Sequence, residues 1–271
     1  MPKPLFIIKD VQGKRFLRSG RDKIVGDVIY HREQSYSHLN HKRDIIVWLP
    51  PSYKIDRTKH YPVLYMHDGQ NIMDPKTAYI GVDWRVDETV SKLIKSNLMN
   101  EVIIVGIYNS PDRLEEYSDS VKGHHYLKYL ATELKEFIDS NYRTLTDREN
   151  TSVMGSSMGG LISFLLVWNY PNVFSKTACL SSAFYFDNNK VFRTIEKYEG
   201  LKKHIKIYID SGEDGKRDAQ KMFSLLTSKG YIIGEDLDYY YDKGALHTEK
   251  AWGDRLERPL LFFLGKKSDG Y

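Results

Sequence analysis

The sequence predicts an α/β fold: a mostly parallel eight-stranded sheet flanked by helices, with antiparallel strands at its N-terminal end. Three observations lead there. Short apolar runs recur along the whole chain. From the third run onwards, stretches of helical length separate most of them. Several runs are apolar at consecutive rather than alternate positions, as strands covered on both faces require. Strands are expected at 27–30, 44–49 and 63–66. Only loops join these three, so they should open the sheet as an antiparallel meander. A helix at 87–95 precedes a strand at 102–106, and a helix at 126–140, with Glu133, Leu134, Phe137 and Ile138 in amphipathic spacing, precedes a strand at 151–154. Helix 158–170 then leads to strand 176–181. Strand 205–209, helix 217–229, strand 237–241 and a last helix at 249–263 complete the pattern. Pro171 and Gly230 end the helices before them. The β-α-β order implies right-handed crossovers. No repeat, low-complexity tract or linker interrupts residues 26–271, which read as one domain behind a lead-in of residues 1–25.

Composition narrows the function classes. A chain of 271 residues, 41% hydrophobic, is long enough for one large core. No apolar stretch approaches the ~18–20 residues of a membrane span, and none near the start is long enough for a signal-peptide core, so a cytoplasmic protein with no membrane partner is expected. Forty basic against 36 acidic residues give a net charge of +4, too even for a nucleic-acid partner. The lone cysteine, Cys179, forbids an internal disulfide and sits in an apolar run, which fits a buried thiol in a reducing compartment.

The most informative segment is Met154-Gly155-Ser156-Ser157-Met158-Gly159-Gly160. It fits G-x-S-x-G between a strand-like and a helix-like run, the order that a nucleophile elbow requires. A serine exposed on so sharp a turn tolerates only small residues two positions away on either side, and the following helix N-terminus favours developing negative charge.

Serine needs a base, and the base needs an acid; in this architecture they follow the serine in the order acid, then histidine. Only His204 and His247 lie beyond Ser157. His204 precedes a strand, at the wrong end of the sheet, which leaves His247 on the loop after the last strand. The acid belongs in Asp210-Ser211-Gly212-Glu213-Asp214. Asp214 is favoured, Glu213 second and Asp210 third, because Asp210 at the strand end can instead bond backbone amides; Asp218 belongs to the next helix. The oxyanion donors are expected to be the Met158 amide and one from His67-Asp68-Gly69-Gln70-Asn71, assigned to Gln70 with Gly69 as alternative, glycine permitting a close backbone with positive φ. His67-Asp68 lacks a third ligand at metal-site spacing, so hydrogen bonding within the loop explains it better. His31, His38, His41, His124 and His125 read as solvated loop residues. No phosphate-binding loop is present, and no metal or cofactor is expected.

Taken together, Leu49-Pro50-Pro51-Ser52-Tyr53, the segment Tyr61 to Asn71, the Ser157 elbow and the His247 loop resemble the putative-esterase family, over roughly residues 26–265. That family includes esterase D, feruloyl and acetyl-xylan esterases, enterochelin-type trilactone esterases and mycolyltransferases. The resemblance implies an α/β-hydrolase fold and a metal-free serine esterase, with Ser157 as nucleophile and His247 as base; it leaves Glu213 and Asp214 unresolved. It also implies that Gly81-Val82-Asp83-Trp84 and Arg113-Leu114-Glu115-Glu116-Tyr117 lie near the mouth of the site, with Trp84 contacting substrate or else packing the helix that follows.

The expected activity is hydrolysis of a small-molecule or saccharide ester, namely an acylated sugar, a hydroxycinnamoyl ester or a siderophore lactone. Acyl transfer by the same triad, or a non-catalytic binding role on the same fold, are the alternatives. Oligomeric state is not written in the sequence.

Overall fold

The structure, a computed structural model, describes residues 8–10, 15–16 and 24–266. Most of the 1–25 lead-in, and residues 267–271, lie outside the described residues. The strands in chain order are β1 (Ile8–Asp10), β2 (Arg15–Phe16), β3 (Asp27–Gln34), β4 (Arg43–Leu49), β5 (Val63–His67), β6 (Ile103–Ile107), β7 (Thr151–Ser156), β8 (Lys176–Leu180), β9 (Lys206–Ser211) and β10 (Leu237–Tyr241). The eight expected strands are all present, and the two short strands β1 and β2 extend the sheet from the lead-in. The helices are α1 (Val86–Lys95), α2 (Arg113–Glu116), α3 (Val121–Tyr129), α4 (Lys135–Asn141), α5 (Met158–Asn169), α6 (Phe186–Glu196), α7 (Lys216–Ser228), α8 (Glu249–Asp254) and α9 (Glu257–Leu264). None of them is long and apolar enough to cross a membrane.

The sheet order is β10-β9-β8-β7-β5-β6-β4-β3-β1-β2. Strands β10 through β6 run parallel, whereas β4 pairs antiparallel with β6 and β3 antiparallel with β4. This is the α/β-hydrolase fold. One expectation is corrected: β3, β4 and β5 do not form a meander. Strand β6 lies between β4 and β5, pairing Ile45 with Ile107 and Trp48 with Ile104 on one side and Val63 with Ile103 on the other. The thirteen residues from Pro50 to Pro62 give the chain length enough to step over that gap, and the central place goes to β5, every residue of which is buried.

Alternation along each strand feeds two cores. Ile45, Val47, Tyr65, Val105, Val153, Cys179 and Ile209 meet α3, α4, α5, α6 and α7 on one face. Ile46, Trp48, Met66, Ile104, Met154, Leu180 and Tyr208 meet α1, α8 and α9 on the other. Burial pushes the Cys179 thiol up to about 12, so it is an inert core residue. Two tyrosines of β10 pack against neighbouring side chains: Tyr239 lies 5.3 Å from the Phe223 ring, while Tyr240, on the opposite face, carries the Arg258 guanidinium at 3.5 Å.

Two expected helices are interrupted. The one at 126–140 begins earlier, at Val121, and passes through a π-helical turn at Leu130–Leu134. The last one breaks at Arg255 and Leu256, so that Pro259 falls in the first turn of α9, where its missing N–H costs nothing. His31 also departs from expectation. It is buried on β3, 2.5 Å from the Tyr142 hydroxyl and edge-on to Phe137. His124 and His125 are exposed as expected, but on α3 rather than a loop.

Candidate active site

Ser157 joins β7 to α5 with φ 55° and ψ −122°, a conformation that L-residues adopt only under constraint. The constraint is visible in its backbone bonds: its N–H donates to Leu180 O at 2.9 Å and its carbonyl accepts from Ala183 N at 2.9 Å. Gly155 is a steric necessity, because a Cβ there would stand 2.5 Å from the Gly159 carbonyl carbon and oxygen. One at Gly160 would stand 2.9 Å from Ser182 Oγ. Met158 opens α5, so its amide has no intrahelical acceptor and sits at the positive end of the helix dipole.

The loop after β5 supplies the facing wall. Its left-handed residue is Asp68, with φ 54° and ψ 47°, and not Gly69. Glycine is required at 69 for a different reason: a Cβ there would lie 2.5 Å from Gly106 C and 2.6 Å from Ile107 N on β6. Gln70 accepts from Asn109 N through Oε1 at 3.2 Å and from Thr77 Oγ1 through its carbonyl at 2.6 Å. Within the loop the Asp68 carbonyl accepts from Asn71 N at 2.8 Å, as expected, but both side chains of the His67-Asp68 pair bond outward. His67 Nδ1 lies 3.0 Å from the Tyr126 hydroxyl, and full burial lowers the imidazole to about 3, so it is neutral. Asp68 takes Arg113 Nε and Nη2 and Asn109 Nδ2, each at 2.7 Å.

The three carboxylates that the sequence leaves in competition have separate surroundings. Asp214 Oδ2 lies 2.5 Å from His247 Nδ1. Glu213 accepts from the Tyr241 hydroxyl at 2.5 Å and from Gly244 N at 2.8 Å, while its own N–H donates to Ala245 O at 3.0 Å. It therefore fastens the acid loop to the histidine loop. The Tyr241 bond, followed by the Gly244 amide, holds its carboxyl below the usual range. Gly212 permits this contact, since a Cβ there would be 2.3 Å from Ala245 O. Asp210 is fully buried, accepts from Ser181 N at 3.0 Å and lies 2.9 Å from Arg255 Nε. That last contact is ionic without hydrogen-bond alignment, and burial still raises the Asp210 carboxyl.

Ser157, His247, Gln70, Trp252, Tyr79 and Ile80 line one cavity of about 730 Å3, together with Asn109, Ser110 and Arg113. Tyr79 is 87% exposed at its mouth. Neither Tyr79 and Ile80, on a stretch without helical or strand period, nor Asn109 was singled out from the sequence. Trp252 was missed too, although an aromatic five residues beyond the candidate base is a usable signal. Trp84 is placed elsewhere: it is buried, faces a separate cleft of about 390 Å3, and its ring lies 5.7 Å from Trp252. Trp252 in turn stands edge-on to His247 at 4.9 Å. The Trp84 backbone is gripped between Asn71 O, which accepts its N–H at 2.9 Å, and α8, which turns the ring into the core. It thus packs behind the cavity rather than lining it.

Among the described residues, the carboxylates close enough to share a cation are Asp83, Asp87 and Glu88, with ligand oxygens within 4.8 Å of one another. They lie behind Trp84, outside the Ser157 cavity, and burial beside Glu88 holds the Asp87 carboxyl far above its usual range.

Similar proteins can be set beside this geometry. The uncharacterized protein YbbA of Bacillus subtilis (strain 168) is 23% identical over 253 residues, covering 84% of this chain and 95% of its own. The structure of a ferulic acid esterase superposes with a TM-score of 0.72 at 22% identity, covering 87% of this chain and 97% of that one. The enterobactin esterase FES from Shigella flexneri superposes with a TM-score of 0.68 at 14% identity, covering 86% and 61%. At these identities the structural likenesses establish the fold. The family model described as "Putative esterase" matches residues 37–263, most of the chain. The chain therefore belongs to the putative-esterase family, and ester hydrolysis is the activity that this membership supports.

Proposed function

We propose that this protein is a serine carboxylic-ester hydrolase that works through an acyl-enzyme on Ser157. The observation that carries the reading is the 2.5 Å contact of Asp214 Oδ2 with Nδ1 of His247, a residue that lines the same cavity as the strained Ser157. Asp214 fixes the tautomer in which His247 Nε2 accepts the serine proton. Ser157 Oγ attacks the ester carbonyl, and the amides of Met158 and Gln70 bind the tetrahedral oxyanion. His247 returns the proton to the departing alcohol, and water, activated by the same imidazole, releases the acid. The mixed lining, with Tyr79, Ile80 and Trp252 apolar and Thr77, Asn109 and Ser110 polar, suits an aryl acyl group or an acylated sugar, and ferulic acid and enterobactin esterases share the fold. The single, fully buried Cys179 supports a reducing, cytoplasmic setting. A fluorophosphonate probe should label the protein on Ser157, and Ser157→Ala should abolish hydrolysis of p-nitrophenyl acetate with the fold intact. Retained turnover in that purified variant would sink the assignment.

A further inference from the structure

We infer that Arg113 and Asp68 are positioning residues for the oxyanion hole, acting on the Gln70 amide; the inference rests on the esterase reading above. Asp68 directly precedes the loop that carries Gly69 and Gln70, and it holds a left-handed backbone that side-chained residues avoid. Within its own loop only the backbone is tied, Asn71 N donating to the Asp68 carbonyl at 2.8 Å; the side chain and the N–H are held by residues after β6. Arg113 grips the carboxylate with both Nε and Nη2, Asn109 adds Nδ2, and the Tyr117 hydroxyl accepts the Asp68 N–H at 3.3 Å. The same segment holds Gln70 directly, through Asn109 N on Oε1. On the other side, a Cβ at Gly159 would lie 3.3 Å from Asp68 Oδ2, so the carboxylate also rests against the first turn after Ser157. The pair therefore sets the spacing between the two backbone donors, Gln70 and Met158.

The charges add a second effect. Asp68 lines the cavity in which negative charge develops during attack, and its side chain is only 5% exposed. A bare carboxylate there would oppose the oxyanion. The Arg113 guanidinium, held well above its ordinary range by this partner, cancels that charge. Lysine can supply the charge but not the two-pronged grip.

The experiment compares Arg113→Lys and Arg113→Ala with the unaltered protein on p-nitrophenyl acetate, alongside affinity for phenylboronic acid, which forms a tetrahedral adduct on the serine. Loss of one oxyanion donor costs about 100- to 1,000-fold in kcat in serine hydrolases. Arg113→Ala is expected to lose about 100-fold in kcat with KM changed less than threefold, and boronate affinity should fall with kcat/KM. Added guanidinium should restore part of the rate, and Arg113→Lys should lie between the two. Unchanged kcat in Arg113→Ala would overturn the inference. So would a loss in Arg113→Lys that appears in KM alone, which also decides the matter if the alanine variant does not fold. The reading of Ser157 fails separately, when the unaltered protein takes no fluorophosphonate.

Discussion

Replacing each of the three clustered carboxylates separates their roles, because the structure assigns each a different environment. In Asp214→Asn the His247 ring loses its anionic partner. Loss of the orienting acid lowers kcat about 10,000-fold in serine proteases, or about 5.5 kcal/mol of transition-state stabilisation. The same change should barely move stability, since Asp214 and His247 are 40% and 39% exposed and such pairs contribute about 0–1 kcal/mol. Asp210→Asn has the opposite signature. It leaves the Arg255 guanidinium, 3% exposed, with only the half-buried Asp242 at 3.6 Å as counter-ion, at a cost of up to about 3–5 kcal/mol. At about 2–4 °C per kcal/mol for a domain of this size, the thermal midpoint should fall by up to roughly 6–20 °C, while kcat per folded molecule changes little. Glu213→Gln keeps an acceptor for Tyr241 and Gly244 and should stay within about tenfold on both measures. Kinetics on p-nitrophenyl acetate and thermal melts of the three variants are sufficient. If Asp214→Asn keeps more than a tenth of kcat, or Glu213→Gln loses the four orders of magnitude instead, the assignment of the acid is wrong.

Other outcomes follow from the same contacts. His67 is neutral in the fold and lowered to about 3, against about 6.5 when unfolded. Its contribution is complete above pH ~6.5 and is lost as the pH falls towards 3, by up to about 4–5 kcal/mol. His67→Phe should flatten the acid limb of stability between pH 6.5 and 4, and an unchanged slope would exclude His67 as its source. Gly155→Ala forces a Cβ into the Gly159 backbone and should destabilise by about 1–3 kcal/mol while displacing Ser157, seen as lost labelling together with a lower melting point. Arg43 and Glu116 form a bidentate pair, 0% and 2% exposed, beneath the 109–113 segment. Arg43→Met alone should cost about 3–5 kcal/mol, and adding Glu116→Leu should recover much of it in denaturant titrations. Tyr79→Ala, at an exposed side chain, should leave stability within about 0.5 kcal/mol. It should nonetheless raise KM for p-nitrophenyl ferulate more than for the acetate; equal effects would remove Tyr79 from the acyl site.

The elements legible in the sequence were those with local causes. Apolar runs marked the central strands, because a strand buried on both faces must be apolar throughout, and the elbow declared itself through the small residues that its turn demands. The pattern Gly155-Ser156-Ser157-Met158-Gly159 carries its own steric reason, now measurable as the 2.5 Å between a Cβ at 155 and the residue-159 carbonyl. The meander was misread because loop length says which strands are consecutive, not which are neighbours. The pairing of β4 with β6 depends on complementary registers some sixty residues apart. Trp84 and Trp252 likewise could not be told apart as linear sequence: each is an aromatic beside a loop, and only packing turns one ring into the core and the other towards His247.

The choice of acid shows the same division. The sequence by itself confined the candidate acid to the end of β9 and the loop after it, because chain order and the carboxyl end of the sheet leave few places for one. Which one reaches His247 was decided by the tertiary structure alone. Asp210 is drawn inward by Arg255 of α8's C-terminal end, and Glu213 is tied to Tyr241 and Gly244. Asp214 is left facing the imidazole because its neighbours' partners come from elsewhere in the chain, and a hydrogen bond depends on separation in space rather than along the sequence.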